Sequence, residues 1–359
     1  MQAAVLHNVG DENLQVHDDA EVGDPGPGEV RVKIHATGVC HSDLSAMTGT
    51  IPQPVPAVLG HEGAGEILAV GDGVTSVKPG DHIIVAWMPP CGKCKFCLRG
   101  KANLCMQVML SSAFTQHFKV GGEPVYGFTG MGTFAEEIVI PEAATVKIAD
   151  DVPFEIASLI GCGVMTGVGA AINTAKVKPG SSVVVFGCGG VGIAAIQGAR
   201  VAGAAEIIAV DLVESKLEDA KRFGATHAVH PDKLAELSFQ MTAGDGFDYA
   251  FECIGHPATI RAAYDSVTRG GTAVIVGVGR ADQTVEFNAF EFFWAEKALM
   301  GSMYGSADVR TDFDRMIRLW RAGRLDLEGM ITRRMKIGEI NDAFAAMRRG
   351  EVIRQVITF

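Results

Sequence analysis

The chain has 359 residues, which is enough for two domains, and 48% hydrophobic with 20% charged residues is typical of a globular protein. A formal net charge of −11 leaves no basic excess to attract phosphate, which excludes a general nucleic-acid or anionic-membrane binder. No basic and apolar leader opens the chain, and no apolar run reaches the roughly 18–20 residues of a membrane helix. We therefore expect a cytoplasmic protein whose eight cysteines are reduced metal ligands or buried thiols.

The predicted elements change in character near residue 164. Before it, β-branched runs such as EVRVKIHATGVC, GAGEILAVG and DHIIVAWM are separated by Gly and Pro, which predicts a β-rich region. After it, strands alternate with helices: SSVVVFG precedes GVGIAAIQGARVAG, EIIAVD precedes SKLEDAKRFG, and FDYAFECIG precedes PATIRAAYDSVTRG and then the strand GTAVIVGVG. This alternation predicts a doubly wound parallel sheet. Two amphipathic helices, TDFDRMIRLWRAG and EINDAFAAMRRG, and a last strand, RQVITF, complete the chain.

The stretch CGKCKFCLRGKANLC, residues 91–105, contains four cysteines: Cys91, Cys94, Cys97 and Cys105. A reduced compartment disfavours disulfides. A ferredoxin-type cluster needs a final C-x3-C-P element, whereas here seven residues separate the last two cysteines and Met106 follows. One zinc ion held by four thiolates remains. Because such a site has no open coordination position, we predict that it is structural.

Three other candidate ligands are scattered along the chain: Cys40 in GVCHSD, His61 in GHEGAG and Cys162 in GCGV. Each alone reads as a buried small side chain or a core histidine. Together they form a Cys2His set that leaves a fourth position for water, which is typical of catalytic zinc. Asp43 and Glu62 are predicted to orient the histidine and tune the metal.

The glycine-rich stretch GCGGVG follows a predicted strand and opens a helix, which predicts a dinucleotide-binding loop. The next strand ends at Asp211, nineteen residues after Gly192, where an acid accepts a hydrogen bond from the ribose 2′-OH. Since Leu212 and Val213 follow instead of an arginine, NAD is predicted over NADP. The loop comprises Gly187, Gly189, Gly190, Val191 and Gly192.

These motifs together resemble the zinc-dependent medium-chain alcohol dehydrogenases, class I/III-like, over about residues 5–359. The resemblance rests on GHEGAG with EILAV, on GVCHSD, on the four-cysteine lobe, on GCGVMTG, and on GCGGVG with its later acid. It implies an α/β fold in which a GroES-like β-rich catalytic domain, residues 1–163 and 304–359, is interrupted by a Rossmann domain, residues 164–303. It also implies NAD, one catalytic zinc and one structural zinc per chain.

The resemblance also implies roles for single residues. Cys40, His61 and Cys162 are the implied catalytic zinc ligands, and Glu62 is an acid that can transiently reach the metal. Ser42 is the implied proton relay, and because Ser45 stands where a histidine often ends that relay, the last acceptor is left open. Further implied cofactor contacts are His41, Thr166, Lys216, Val278 and Arg354. The implied apolar substrate pocket comprises Ile51, Trp87, Leu110, Phe134, Val278 and Met303.

We therefore predict reversible hydride transfer between NAD and a primary or secondary alcohol, aliphatic or aromatic. An alternative is the S-(hydroxymethyl)glutathione branch, which holds glutathione carboxylates with charged residues, but Ile51 and Met109 stand at two positions where such residues are expected. An alternative of a different class is a non-enzymatic dinucleotide-binding redox sensor. A zinc-free quinone or enoyl reductase is disfavoured, because it needs neither zinc site.

Partners other than a small-molecule substrate are predicted only as further copies of the chain. The long segment at residues 106–133 favours a homodimer over a homotetramer. No nucleic acid and no membrane is expected. Cys188 and Cys253 are predicted to be buried packing thiols.

Overall fold

The computed structural model describes residues 1–359, which divide into two compact units. The first unit comprises residues 1–162, 308–322 and 327–359, and the second comprises residues 163–307 and 323–326. The predicted α/β architecture, a β-rich part interrupted by a doubly wound parallel sheet, is confirmed. The resemblance implies domain boundaries at residues 163/164 and 303/304. These boundaries stay a prediction; the limits of the compact units are at 162/163 and 307/308.

Nineteen strands and eleven α-helices make up the chain. The strands are β1 Ala3–Leu6, β2 Gln15–His17, β3 Glu21–Val22, β4 Glu29–Val39, β5 Ala57–Val58, β6 Glu62–Val70, β7 His82–Val85, β8 Phe118–Val120, β9 Glu123–Gly127, β10 Glu137–Pro141, β11 Thr145–Lys147, β12 Ser182–Phe186, β13 Glu206–Val210, β14 His227–Val229, β15 Phe247–Glu252, β16 Val267–Ile275, β17 Ala298–Gly301, β18 Ile331–Met335 and β19 Arg354–Thr358. The helices are α1 His41–Met47, α2 Gln107–Ala113, α3 Phe154–Leu159, α4 Met165–Gly169, α5 Gly190–Ala202, α6 Glu214–Arg222, α7 Leu234–Thr242, α8 Pro257–Ser266, α9 Ala289–Ala295, α10 Val309–Arg321 and α11 Ile340–Arg348.

The first unit is built on two sheets. One has the strand order β2-β1-β5-β9-β8-β3, and the other β11-β7-β6-β4-β19-β18 with β10 also paired to β4. In β4 the alternate residues Val30, Val32 and Ile34 are buried, while Arg31 and Lys33 face outward. This period of two places one face of the strand on the core. The end of β4 pairs with the start of β6, with Gly38 opposite Glu62. Cys40 follows β4 and His61 precedes β6, so this pairing brings the two residues close together.

The second unit contains a sheet of six parallel strands in the order β14-β13-β12-β15-β16-β17. In chain order this is 3-2-1-4-5-6, the arrangement of dinucleotide-binding folds. The direction of winding reverses between β12 and β15, so a ligand crevice is expected at the carboxyl ends of these two strands. Four of the five residues of β12 are buried, as in a sheet covered on both faces.

One predicted helix is shorter than its sequence suggests. The run PATIRAAYDSVTRG was predicted to be helical throughout, but α8 ends at Ser266 and β16 begins at Val267. Val267 has extended backbone angles and pairs with Phe247 of β15. The β-branched pair Val267 and Thr268 favours a strand, and pairing with the neighbouring strand outweighs the helical pattern.

One helical stretch, Phe154–Thr174, is long and apolar enough to cross a membrane by length and composition alone, so the expectation that no apolar run reaches this length was wrong. Of its most apolar window, 83% is buried inside the structure. A buried stretch of this kind is the pattern of a core helix in a folded domain.

Candidate active site

Four buried side chains of the first unit meet at one point. The ligand atoms of Cys40, His61, Glu62 and Cys162 all lie within 4.8 Å of one another. Cys40 immediately precedes α1, His61 immediately precedes β6, and Glu62 is the first residue of β6. Cys162 is the last residue of the segment 1–162 of this unit. The structure therefore brings together the three predicted ligands and the predicted nearby acid.

Asp43 connects two of these side chains. Its Oδ2 accepts a hydrogen bond from the Cys40 N–H at 3.0 Å, which also caps the first turn of α1. Its Oδ1 lies 3.0 Å from His61 Nδ1 and accepts the Gly60 N–H at 3.1 Å. Asp43 is fully buried, so the carboxylate has no competing water. One acid thus holds both Cys40 and His61; the contact with His61 was predicted from the sequence, and the contact with Cys40 was not.

The imidazole of His61 presents one unpaired nitrogen. Its Nδ1 is bound to Asp43, whereas the buried Nε2 has no hydrogen-bond partner. Burial lowers the pKa of His61, but the charge and hydrogen bond of Asp43 outweigh burial and raise the pKa to about 10. The negative charge that raises this pKa comes from Asp43 and from the neighbouring Cys40, and the same charge favours a cation at this site. This arrangement, with a carboxylate behind the histidine, is typical of metal ligands and fits zinc.

Two aromatic rings stand against the imidazole of His61. Trp87 packs edge-on at a centroid distance of 6.3 Å, and Phe128 does so at 5.4 Å. Trp87 was predicted to line the pocket, but Phe128 was not. The only sequence signal for Phe128 was an aromatic residue between two glycines in the segment 127–130. The imidazole of His61 therefore has an aromatic border formed by two rings that stand edge to face against it.

Glu62 is paired with a cation from the far end of the chain. Its Oε2 accepts a hydrogen bond from Nη2 of Arg354, the first residue of β19, and both side chains are buried. The pair passes over Gly38 of β4, where a Cβ atom would collide with both partners. Arg354 was predicted to contact the cofactor. The structure shows it as the partner of Glu62, and a cofactor contact stays a prediction.

Cys162 lies in a π-helical turn, Ile160–Val164, between α3 and α4. Such turns are rare and occur frequently at functional sites, because they displace a side chain from the regular helical position. A hydrogen bond between Cys162 and Cys40 is the largest factor that lowers the pKa of Cys40 well below its usual range, while burial opposes it. The thiol pair is therefore poised to lose a proton, as metal-bound sulfur must.

The four-cysteine lobe is a second, separate cluster in the first unit. The sulfur atoms of Cys91, Cys94, Cys97 and Cys105 lie within 4.8 Å of one another. Backbone N–H groups donate to these sulfurs: Cys91 to Cys105 at 3.3 Å and Cys94 to Cys91 at 3.3 Å. Such bonds hold the pKa of Cys91 down, to about 6. Four sulfurs at this spacing fit one tetrahedral zinc with no open position.

The glycine-rich loop of the second unit has the predicted geometry. Gly187 has a left-handed φ of +89°, and a Cβ on Gly192 would overlap the Gly187 carbonyl. A Cβ on Gly189 would meet no atom within 4 Å, so this position is open to a ligand. Asp211 follows β13, and its Oδ2 accepts the Cys188 N–H at 2.7 Å. The loop, the start of α5 and Asp211 thus form a cradle that fits a dinucleotide.

Glu252, a fully buried acid at the end of β15, was not among the predicted residues. Its carboxylate accepts N–H groups from Ile254 at 3.1 Å and Gly255 at 2.8 Å, and the Thr259 hydroxyl at 2.7 Å. Its carbonyl accepts the Val276 N–H at 2.8 Å. Glu252 therefore fixes the loop at the carboxyl edge of the sheet. The sequence signal is the single acid that follows Asp248 in the apolar run FDYAFECIG.

The remaining predicted residues lie in varied surroundings. Ser42 Oγ is 3.7 Å from Cys40 Sγ, which places this hydroxyl beside the metal ligands. Phe134 is fully buried and packs against Phe344, so the structure gives it a core role, and its place at a substrate pocket stays a prediction. The roles of the other side chains stay predictions. Exposed ones are His41, Leu110, Val278 and Met303; half-buried ones are Ile51, Thr166 and Lys216.

Cys188 and Cys253 are unreactive thiols by environment. Cys188 is fully buried, and burial raises its pKa to about 12. Cys253 is half-buried and not fully buried as predicted, and burial of its thiol raises its pKa well above the usual value. Both stay protonated near neutral pH, which agrees with a packing role.

Comparison with known proteins identifies the family. Residues 26–150 match the alcohol dehydrogenase GroES-like domain, and residues 190–321 match the zinc-binding dehydrogenase domain. A relative from Escherichia coli O1:K1, named S-(hydroxymethyl)glutathione dehydrogenase, is 43% identical over 352 residues, which cover 95% of each chain. The chain belongs to the zinc-dependent medium-chain alcohol dehydrogenases. It is an oxidoreductase acting on CH–OH groups, and it takes zinc and a nicotinamide dinucleotide.

Solved structures of this alcohol dehydrogenase family confirm the fold. A zinc-binding alcohol dehydrogenase domain protein from Burkholderia ambifaria is 32% identical with a TM-score of 0.93, covering 100% of this chain and 98% of that one. Benzyl alcohol dehydrogenase from Acinetobacter calcoaceticus is 33% identical with a TM-score of 0.90, covering 100% and 99%. The predicted GroES-like and Rossmann domains are thus confirmed, and the non-enzymatic alternative is set aside.

Proposed function

We propose that this dehydrogenase catalyses reversible hydride transfer between NAD and an uncharged primary or secondary alcohol, at Cys40, His61 and Cys162. The observation that carries the proposal is the unpaired Nε2 of buried His61, which faces two cysteine sulfurs inside an aromatic border. Zinc bound there supplies a Lewis acid that lowers the pKa of the alcohol oxygen.

The side chains around the ligands then have separate tasks. Asp43 keeps the His61 proton on Nδ1, so that Nε2 offers its lone pair. Ser42, beside Cys40, is positioned to accept the alcohol proton and pass it outward. Ser45 is not proposed as the final acceptor, because it is only 8% exposed and a serine hydroxyl is not a base. Solvent water or a cofactor hydroxyl is the acceptor that we propose.

NAD is the proposed cofactor. Asp211 is fixed by the Cys188 and Val213 N–H groups at 2.7 and 3.0 Å, which leaves the remaining lone pairs for a ribose hydroxyl. Its negative charge repels a 2′-phosphate. Leu212, which follows it, is 73% exposed and offers no cation in exchange.

The substrate class rests on the border of His61. Trp87 and Phe128 are apolar rings and favour an uncharged, aromatic or aliphatic alcohol. The 33% identical solved relative named benzyl alcohol dehydrogenase supports this choice. The second candidate is S-(hydroxymethyl)glutathione, which is favoured by the name of the 43% identical relative. The predicted positions Ile51 and Met109 carry no charge for glutathione carboxylates, which places this candidate second.

Steady-state kinetics with NAD distinguish the two substrates. We expect a kcat/KM for benzyl alcohol or octanol at least about tenfold above that for S-(hydroxymethyl)glutathione, since an unpaired charged group costs more than about 1.4 kcal/mol in an apolar site. Ile51→Arg is the matched test, because it adds a cation for the glutathione carboxylates. It should lower the ratio of kcat/KM for the alcohol to kcat/KM for S-(hydroxymethyl)glutathione. A ratio that favours the glutathione adduct in the unchanged protein would establish the second candidate.

We propose that the chain forms a homodimer through one edge of the second unit. The edge strand β17 has no further strand beside it, and α9 exposes Phe290, Phe293 and Trp294 to 68, 78 and 58%. A second copy can pair antiparallel with β17 about a twofold axis and cover these rings. Light scattering should report a dimer that Phe293→Asp dissociates, while Phe239→Asp, a 69% exposed control on α7, leaves it intact. A monomer in the unchanged protein contradicts the proposal.

A cytoplasmic location stays a prediction.

A further inference from the structure

Two histidines that serve neither zinc cluster meet in the first sheet. His7 follows β1, His17 ends β2, and their Nε2 atoms are 3.0 Å apart. The rings stand edge to face at a centroid distance of 5.3 Å, and both are half-buried. Two nitrogens that each lie about 2.0–2.1 Å from one ion are separated by about 2.9 Å at a right angle and about 3.3 Å at a tetrahedral angle. The observed separation falls between these values.

A carboxylate lies near one member of the pair. Asp19 Oδ1 lies 3.7 Å from His17 Nδ1, and Asp19 Oδ2 accepts the Gly121 N–H at 3.1 Å. At 3.7 Å the acid is not hydrogen-bonded to the imidazole, but its negative charge favours a cation bound to the ring. Metal-binding histidines usually have an acid behind them, and His61 has one in direct hydrogen-bond contact, Asp43 at 3.0 Å.

The segment between the two histidines is held in place by other elements. The Gly10 N–H donates to the carbonyl of Met47 at 2.7 Å, at the end of α1. Leu14 exchanges two hydrogen bonds of 2.9 Å with the side chain of Asn341 in α11. The pair of imidazoles is thus presented by an anchored backbone, and an ion needs little reorganisation to bind.

The local charge attracts cations. Residues 1–30 contain seven acids and no Lys or Arg. The one formal positive charge, the amino group of Met1, is bonded to the carbonyls of Asp18 and Ala20. This excess of acidic residues lowers the free-energy cost of bringing a divalent ion to two neutral imidazoles.

We propose that His7 and His17 form a third metal site, which binds a divalent transition ion of the Zn²⁺, Ni²⁺ and Cu²⁺ group. Imidazole nitrogens suit these ions, and water fills the remaining positions. The ion ties the edge strand β2 to β1, so it stabilises the folded chain in proportion to its concentration. The site is distinct from the two zinc clusters, and the proposal does not rest on the substrate of the enzyme.

The test uses the full chain with two zinc ions bound, to which Ni²⁺ is added so that elemental analysis separates the metals. Equilibrium dialysis should show one Ni²⁺ per chain with zinc still at two, and a melting temperature that rises with Ni²⁺. His7→Gln and His17→Gln should each abolish both effects, and Asp19→Asn should weaken binding about tenfold. His230→Gln is the matched control, because His230 has an acid at 2.7 Å but no second imidazole within the described contacts; it should bind Ni²⁺ as the unchanged chain does.

Three results overturn the site. They are no Ni²⁺ retained by the unchanged chain, Ni²⁺ retained equally by both histidine variants, or Ni²⁺ bound only as zinc is lost. If a histidine variant fails to fold, the electron paramagnetic resonance spectrum of Cu²⁺ bound to the unchanged chain replaces that test. Hyperfine splitting from two nitrogen ligands supports binding by both histidines, and its absence contradicts the site.

Discussion

The two cysteine clusters of the first unit differ in how their ligands are supplied and supported. The lobe takes all four from residues 91–105, leaves three of them half-buried, and supports them with its own backbone N–H groups. The other cluster takes its ligands from positions 122 residues apart, buries them all, and surrounds them with Asp43 and Arg354. A local set of ligands can close on an ion alone and act as a brace. A scattered set of ligands comes together only when the core has folded. The same core can then orient the ligands, exclude water from them and place charged groups beside them.

The largest expected effect comes from removing a ligand of the scattered set. Cys162→Ser should lose one of two zinc ions and reduce kcat/KM on the order of 10³-fold, since the Lewis acid contributes several kcal/mol. Elemental analysis and the rate of NADH formation measure both. A His227→Gln variant, at a half-buried side chain of β14 outside both clusters and outside the cofactor loop, should keep two zinc ions and most activity. Equal losses in the two variants would contradict the assignment.

A smaller effect is expected from the acid behind the ligands. Asp43→Asn keeps the size of the side chain, but its amide cannot accept from Cys40, Gly60 and His61 as the carboxylate does. Zinc affinity at this cluster, or kcat/KM, should fall about 10–100-fold, and zinc in the lobe should be retained. Competition with a chelator gives the two affinities separately. Loss of both zinc ions at the same chelator concentration would show that Asp43 supports the whole unit and not this cluster alone.

These differences explain how much the sequence could predict. The lobe is visible in fifteen consecutive residues, and the Gly187–Gly192 loop in six, because their spacing is local. The contact of Asp43 with His61 could be predicted, since Asp43 lies three residues after Cys40, and His61 is itself a predicted ligand. The Glu62–Arg354 pair joins positions 292 residues apart, so no local pattern shows it. The ring of Phe128 and the loop clamp of Glu252 also depend on tertiary packing.

The cofactor loop provides a comparison that leaves both clusters intact. Asp211→Asn removes the charge that repels a 2′-phosphate, so NADH should bind about tenfold more weakly and discrimination against NADPH should narrow. Fluorescence titration measures both constants. Asp219→Asn, on α6 beside Arg222, is a control that should change neither. Unaltered discrimination in Asp211→Asn would remove this residue from the ribose site.

The smallest expected effect concerns His41, the exposed first residue of α1 between Cys40 and Ser42. The family resemblance implies a phosphate contact there, and arginine offers a permanent charge and a planar fork of donors that a histidine side chain lacks. His41→Arg should tighten NADH about three- to tenfold and slow its release, corresponding to about 1 kcal/mol. Stopped-flow measurement of NADH release tests this. An unchanged release rate would place His41 outside the phosphate contacts.

The central claim is that the cysteine-dense lobe braces the fold while Cys40, His61 and Cys162 perform the chemistry. The most direct measurement is single-turnover NADH formation by Cys94→Ser protein that retains one zinc ion per chain. We predict a hydride-transfer rate within about threefold of the unchanged enzyme, together with a lower melting temperature, because the chemical step does not involve the lobe. Full thermal stability with abolished hydride transfer would contradict the account.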